Sequence, residues 1–294
     1  MGIDFGTSKC CVAALVGGNV EVIPNEKCKK TTLSYVTFTD NERYFGEDSK
    51  NFALMLINRT AIELKNQIFE TKYSDLLVKC KSESHSLSPV QISSMLLKYM
   101  KEVADKHLGQ EVKDAVICVP TYFSNKHRQS IREAAAIAGL NVLSILNEPT
   151  AAAINYKMNN SEEKTRNINI LVFDLGSGGL SVALVGIKED KLKVYGIDGT
   201  TEVSGNVMDE KLVKHFKKEI QEKKGISIGS EKETEKLRLV CQKIRYELTG
   251  SSKTANPLEN FDGSSDYKCE ITREEFEKIN SEMRDVLVLS LIHI

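Results

Sequence analysis

Neither sign of charge predominates in this chain: 40 lysines and arginines face 41 aspartates and glutamates, a formal net charge of −1. That balance carries no global field towards nucleic acid or an anionic membrane, and neither is expected as a partner. Long apolar runs are missing too. A spanning helix needs roughly 18 consecutive apolar residues, and the longest candidate, Val286 to Ile294, is short. The first residues show no charged stretch leading into an apolar one, so no secretory leader is expected. The seven cysteines (Cys10, Cys11, Cys28, Cys80, Cys118, Cys241 and Cys269) include no CxxC pair. An odd count without that spacing argues against a disulfide framework and a zinc site, and for reduced thiols in a reducing compartment. Asn58-Arg59-Thr60 and Asn159-Asn160-Ser161 fit the glycosylation acceptor pattern, which without a leader reads as chance. No GxxxxGK[ST] segment occurs, which excludes a Walker-type loop.

What is present points to an α/β fold. With 41% hydrophobic residues in 294, the chain can bury one large core or two smaller ones. Ile3 to Gly6 and Cys11 to Val16 frame a turn, and Gly17-Gly18-Asn19 turns again into Val20 to Ile23, a strand meander. Ala115 to Val119, stopped by Pro120, reads as a strand, and Arg128 to Ala138 as a helix closed by Gly139. Lys211 to Lys224 reads as a helix with a solvated basic face. From Asn169 the opening pattern returns. Ile170 to Gly176 is a strand running into a glycine-rich turn, and Leu180 to Ile187 is a second strand. Phe173-Asp174-Leu175-Gly176 thus repeats Ile3-Asp4-Phe5-Gly6 about 170 residues later, which suggests two related lobes with a polar hinge at Asn159 to Asn167.

The repeated Asp-x-Gly turn has a chemical logic. The strand end fixes a carboxylate where a hydrated Mg²⁺ can sit. The glycine allows a tight turn, so the following N–H groups can approach phosphate oxygens. Thr7 or Ser8 can add a hydroxyl. One such turn alone is better explained as an ordinary hairpin with an Asx-type bend. Two copies, each between two strands, favour phosphate binding.

Longer segments carry a family resemblance. Gly2-Ile3-Asp4-Phe5-Gly6-Thr7-Ser8 resembles the first phosphate loop shared by actin, sugar kinases and Hsp70 proteins. Ile23-Pro24-Asn25-Glu26, Thr31 to Val36, Val119-Pro120-Thr121-Tyr122-Phe123 and Asn147-Glu148-Pro149-Thr150-Ala151-Ala152-Ala153 resemble segments of Hsp70 chaperones, over residues 2 to 285. The resemblance implies an actin-like ATPase fold of two ribonuclease H-like lobes closing on Mg·ATP or ADP, with K⁺ a further candidate ion. Lobe I would span residues 1–162 with a reduced inserted subdomain at about 34–89. Lobe II would span 163–294, incomplete, with an inserted subdomain at about 198–282. Position by position, Asp4 would hold Mg²⁺ through water, and Lys65 would position the attacking water and the γ-phosphate. Glu148 and Asp174 would organise the metal and that water, while Gly6, Thr7 and Ser8, then Gly176, Ser177 and Gly178, cradle phosphates. Gly205 would belong to a further glycine turn, and Gln242, Arg245, Tyr246 and Thr249 to a helix face contacting the nucleoside. That face at i, i+3, i+4 and i+7 can equally be one that packs within the lobe. Pro120 with Glu148 would report nucleotide state, although a proline also simply ends a strand. A cytoplasmic, or also nuclear, location is implied. So are a J-domain cochaperone, a nucleotide-exchange factor and, if a C-terminal domain exists, unfolded polypeptide clients.

Departures from the family pattern qualify this. The second loop reads Asp174-Leu175-Gly176-Ser177-Gly178-Gly179-Leu180-Ser181, where the family has Asp-Leu-Gly-Gly-Gly-Thr-Phe-Asp. Gly179 lacks a γ-phosphate hydroxyl and Ser181 a carboxylate, so slow hydrolysis is expected, and Gly179→Thr with Ser181→Asp should restore it. The family's Gly-Gly-Ser-x-Arg-Ile-Pro adenosine loop is absent, so the chain is expected to bind ATP weakly. The segment between Phe69 and Ser88 is short, and Leu289 to Ile294 match nothing expected there. Two functions remain open: a weak ATPase that drives a chaperone, or a non-hydrolysing Hsp70-like scaffold or co-chaperone, for example ribosome-associated. A sugar kinase fits poorly, because the Glu148 to Ala153 segment belongs to Hsp70.

Overall fold

The computed structural model describes residues 1–69, 76–80, 83–160, 167–188, 191–260 and 266–292. Two compact units emerge, Met1–Thr201 and Glu202–Ile292, each with its own core. The expected hinge falls largely on residues 161–166, outside the described residues.

The first unit opens on an antiparallel meander of β1 (Gly2–Asp4), β2 (Lys9–Val16) and β3 (Asn19–Val22). Gly17 and Gly18 turn β2 into β3 at φ of +57° and +86°, which glycine adopts without steric cost. Then come β4 (Thr32–Leu33), β5 (Tyr35–Phe38), β6 (Arg43–Phe45), α1 (Gly46–Ala53) and β7 (Thr60–Ile62). β4 lies against β2, and β6-β5-β7 form a small sheet. α2 (Leu64–Phe69), the hairpin β8 (Leu76–Cys80) and β9 (Glu83–Leu87), and α3 (Pro89–Leu108) follow. Next are β10 (Asp114–Val119), α4 (Asn125–Ile137), β11 (Asn141–Asn147) and α5 (Glu148–Asn159). β10 runs parallel to both β1 and β11, giving a sheet in the order β11-β10-β1-β2-β3, with β4 beside β2.

Period-two patterning sets the faces of this sheet. In β2, Cys10, Val12 and Ala14 are buried, whereas Lys9, Cys11 and Leu15 are on the other face. Ile3, Phe5, Ile117 and Val119 join the buried side, against Ile92, Leu96 and Met100 of α3 and Ile131 of α4. Burying each such side chain contributes about 1.5–3 kcal/mol. Ser88 and Gln91 make a capping box that starts α3, and Gly109 ends it at φ +66°. α4 begins three residues before the expected Arg128, because Ser124 caps it and His127 closes the box.

A second sheet completes the unit: β12 (Ile168–Leu175), β13 (Leu180–Lys188) and β14 (Lys191–Thr200), all antiparallel. α5 covers one face through Ala153 on Ala183 and Val185. On the opposite face of β12, an edge strand, Leu171, Phe173 and Leu175 are exposed in alternation.

The second unit comprises α6 (Gly205–Lys224), α7 (Glu231–Glu247), the hairpin β15 (Lys253–Leu258) and β16 (Tyr267–Thr272), α8 (Arg273–Ile279) and α9 (Ser281–Ile292). Leu212, Phe216, Ile220, Leu237 and Ile244 form its core. α6 starts six residues before the expected Lys211, since Ser204 accepts the Val207 N–H as N-cap. The terminal apolar run is helical as far as Ile292. Among the described residues no helix is long and apolar enough to cross a membrane.

Candidate functional site

β1 ends on Asp4, and the chain turns tightly at Gly6, where a Cβ would lie 2.0 Å from the Lys9 carbonyl oxygen. No other residue fits that turn without moving it. Buried Ser34, between β4 and β5, closes on the turn from the core side. Its Oγ donates to the Gly6 carbonyl at 2.8 Å and its N–H to the Ser8 carbonyl at 2.9 Å. Thr7 is buried and its Oγ1 donates to Asn66 Oδ1 at 3.3 Å.

The second turn follows β12. Gly176 N–H donates to the Gly179 carbonyl at 2.9 Å, with half-buried Ser177 at the bend. Gly178 abuts the first loop: a Cβ there would meet Thr7 Oγ1 at 2.2 Å and Asn66 Oδ1 at 2.7 Å. Gly179 is equally enclosed, with the Tyr122 hydroxyl 2.6 Å and the Thr200 carbonyl 2.8 Å from its missing Cβ. This corrects one expectation. Gly179→Thr does not simply restore a hydroxyl, because Tyr122 already fills that space. Ser181 is also engaged: its Oγ accepts the Thr121 N–H at 3.2 Å, and Thr121 Oγ1 donates to the Asp198 carbonyl at 2.8 Å.

Asp4, Glu148 and Asp174 line one cavity of about 410 Å³, together with Cys118, Ala151, Ala152, Val172 and Phe173. Asp4 reaches it because β1 pairs Asp4 with Cys11 on one side and Cys118 on the other, and partners in register share a face. Glu148 reaches it as the first residue of α5, and buried Lys65 of α2 forms an ion pair with it. Burial pushes all three carboxyls above the usual carboxylate range, while Lys65 draws each of them back. Solvent reaches Asp4, so water softens its shift most. Burial, reinforced by Asp4 and Glu148, pushes the Cys118 thiol up to about 11, so it stays protonated at neutral pH. Larger cavities of about 590 and 470 Å³ lie elsewhere in the unit, but neither gathers three carboxylates.

Three carboxylates gathered on one cavity fit a hard divalent cation. Among the described residues no three His, Cys, Asp or Glu side chains are close enough to grip an ion directly. An ion here would therefore keep much of its water, as Mg²⁺ readily does.

The other predicted residues belong to the second unit. Gly205, the first residue of α6, lies beside Arg245, whose guanidinium carbon is 3.3 Å from the missing Cβ. Asn206 has both side-chain amide atoms buried and, among the described residues, without a hydrogen-bond partner. Arg245 is committed to fully buried Asp209, at 2.7 and 3.1 Å, and lies 4.8 Å from the ring centroid of exposed Tyr246. Gln242 is half-buried in α7. Thr249 lies beyond the helix, which ends at Glu247, and its hydroxyl donates back to the Tyr246 carbonyl at 2.7 Å. The expected four-residue face is thus three helical residues and one residue beyond the C-cap Leu248. Sequence reasoning gave no site role to Ser34 or Asn66 and none at the second loop to Tyr122, whose partners are distant in the chain.

A family model described as Hsp70 protein matches residues 1–291. A heat shock protein of Pyricularia oryzae is 38% identical over 95% of this chain and 49% of its own length. Heat shock cognate 70 kDa protein 3 of Dictyostelium discoideum is 34% identical over 96% of this chain and 49% of its own. A ribosome-associated molecular chaperone of Eremothecium gossypii is 36% identical, with 96% and 49% covered. The chain spans about half the length of these relatives. On the family match over nearly all its residues, the chain belongs to the Hsp70 family.

Proposed function

We propose that this chain is the nucleotide-binding part of an Hsp70-type chaperone, taking Mg·ATP or ADP in the cleft of its first unit and hydrolysing ATP slowly. The observation that carries the reading is the convergence of Asp4, Glu148 and Asp174 on one cavity, with Lys65 buried against Glu148. Phosphoryl transfer to water needs positioning and charge stabilisation more than covalent chemistry. Lys65, held by Glu148, would orient the attacking water and the terminal phosphate, and Asp174 would hold that water in line. The turns at Gly6 and Gly176 to Gly178 would offer backbone N–H groups to phosphate oxygens. Bound Mg²⁺ would neutralise phosphate charge. Within the second unit, Arg245, tied to Asp209, would support exposed Tyr246 rather than contact a ligand itself. For the whole protein we propose a cytoplasmic location, a J-domain cochaperone, an exchange factor and polypeptide clients.

Calorimetry with Mg·ATP, then single-turnover phosphate release, tests this. Binding should be measurable and Mg²⁺-dependent, and release slow and indifferent to small sugars. Lys65→Met should lower the release rate about 100-fold or more, as loss of a preorganised charge does, with affinity changed far less. Binding without any release, in a chain that also ignores Lys65→Met, would favour the scaffold reading. No nucleotide binding at all would sink both.

A further inference from the structure

We infer that Ser34 is a positioning residue for the first phosphate loop, holding its peptide planes in the orientation that receives the nucleotide's phosphates; this deepens the nucleotide reading and rests on it. Ser34 is 0% exposed and spends both its donors on the loop, Oγ on the Gly6 carbonyl at 2.8 Å and N–H on the Ser8 carbonyl at 2.9 Å. Its hydroxyl rotor is set from behind. Cys10 Sγ lies 3.2 Å from Ser34 Oγ, and burial pushes that thiol up to about 12, so it remains an S–H donor. Because Ser34 Oγ gives its hydrogen to Gly6, the lone pairs facing Cys10 accept, and a directed chain runs from Cys10 through Ser34 to Gly6. Cys10 Sγ also approaches the Gly6 carbonyl itself, at 3.8 Å.

The consequence follows from peptide geometry. A trans peptide holds each N–H antiparallel to the preceding carbonyl. With the carbonyls of Gly6 and Ser8 turned towards Ser34, the N–H groups of Thr7 and Lys9 are turned away from it. Two N–H groups directed alike, two residues apart, are the backbone arrangement that binds anions. Holding them before the ligand arrives avoids reorganisation on binding, which is how fixed donors stabilise phosphate charge. A plainer role, satisfying two carbonyls that would otherwise be buried unpaired, would affect stability without regard to phosphate.

The two roles separate by probe. With the full 294-residue chain, Mg·ADP and adenosine would be titrated into wild type, Ser34→Ala and Ser34→Thr, and the Thr7 and Lys9 amide resonances followed as inorganic pyrophosphate is added. Ser34→Ala should lose about tenfold in Mg·ADP affinity, the size of one buried hydrogen bond, while adenosine affinity holds. Its Thr7 and Lys9 amides should respond weakly to pyrophosphate, and Ser34→Thr, which keeps the hydroxyl, should recover the affinity. Equal losses for ADP and adenosine, or no loss for either, would overturn the inference. If Ser34→Ala does not fold, Cys10→Ala should show a smaller loss confined to Mg·ADP, and unchanged ADP affinity there would count against it. Wild type that binds adenosine but not Mg·ADP overturns the nucleotide reading, and the role of Ser34 falls with it.

Discussion

Gly178 sits where the two Asp-x-Gly turns meet, against Thr7 and Asn66, and Gly179 is closed in by Tyr122 and the Thr200 backbone. Gly178→Ala must displace Thr7 or Asn66, at a cost of about 1–3 kcal/mol for overpacking, visible as a lower Tm in scanning calorimetry. Gly179→Thr should destabilise likewise, against both Tyr122 and the Thr200 backbone, and gain no hydrolysis. An unchanged Tm in either variant would mean that the turns yield freely. Acidity gives a second residue-scale test. Asp4, Glu148 and Asp174 bind protons more tightly folded than at their ordinary values of 3.8, 4.5 and 3.8. Between those values and the raised ones, the ligand-free folded chain holds more protons than the unfolded chain. Their contribution to stability is therefore greatest in acid and falls as pH rises through the raised values. In the proposed role Mg²⁺ would need the ionised forms, so Mg·ADP affinity should decline on acidification sooner than ordinary carboxylates would make it. Isothermal titration from pH 8 downward in about unit steps would show this as proton release on binding, and a flat profile would refute it. The acidic residues and Lys65 were legible because a motif holds each of them. Ser34, Tyr122 and Asn66 were not, since their loop partners stand 28, 56 and 59 positions away and only folding brings them together.

Among the elements, α4 carries the clearest local instruction. Ser124 Oγ accepts the His127 N–H while His127 Nδ1 accepts the Ser124 N–H at 3.1 Å. Ser124→Ala should cost about 1 kcal/mol, measured by denaturant unfolding. The imidazole must be neutral to accept. Burial, with Lys126 beside it, holds the His127 pKa below its ordinary 6.5. Its contribution is thus present above 6.5 and lost as pH falls through the lower folded value. A His127→Gln variant, still able to accept, should lose that pH dependence. The same box explains why the helix start was misplaced: histidine at its third position is not the Glu or Gln that marks such boxes in sequence. Strand ends fared better, because Gly17-Gly18, Pro120 and the Asp-x-Gly turns break the backbone locally and say so in the letters. The end of α7 was not legible. Polar residues at helical spacing continue past Glu247 to Thr249, and only the chain's turn back reveals the cap.

For the whole molecule, the repeated turn announced a related pair of strand systems, and each copy does end a first strand and precede a second. The limits of lobes I and II at residue 162 remain a proposal, since compactness alone divides the chain after Thr201. Each unit has its own core, Ile3, Phe5 and Ile117 among others in one, Leu212, Phe216 and Ile244 in the other. Residues 202–292 expressed alone should therefore melt cooperatively, as small domains do. A sloping, non-cooperative melt by circular dichroism would show that this core needs the rest of the chain.

The edge strand β12 bears on handling at the bench. Leu171, Phe173 and Leu175 alternate along one exposed face of a strand whose outer hydrogen-bonding groups take no partner strand among the described residues. Such an edge invites intermolecular strand pairing. Purified protein should show a scattering threshold that rises with Leu171→Lys, a charge placed on the solvent side of the strand, while Leu15→Lys, on the other sheet, should leave it where it was.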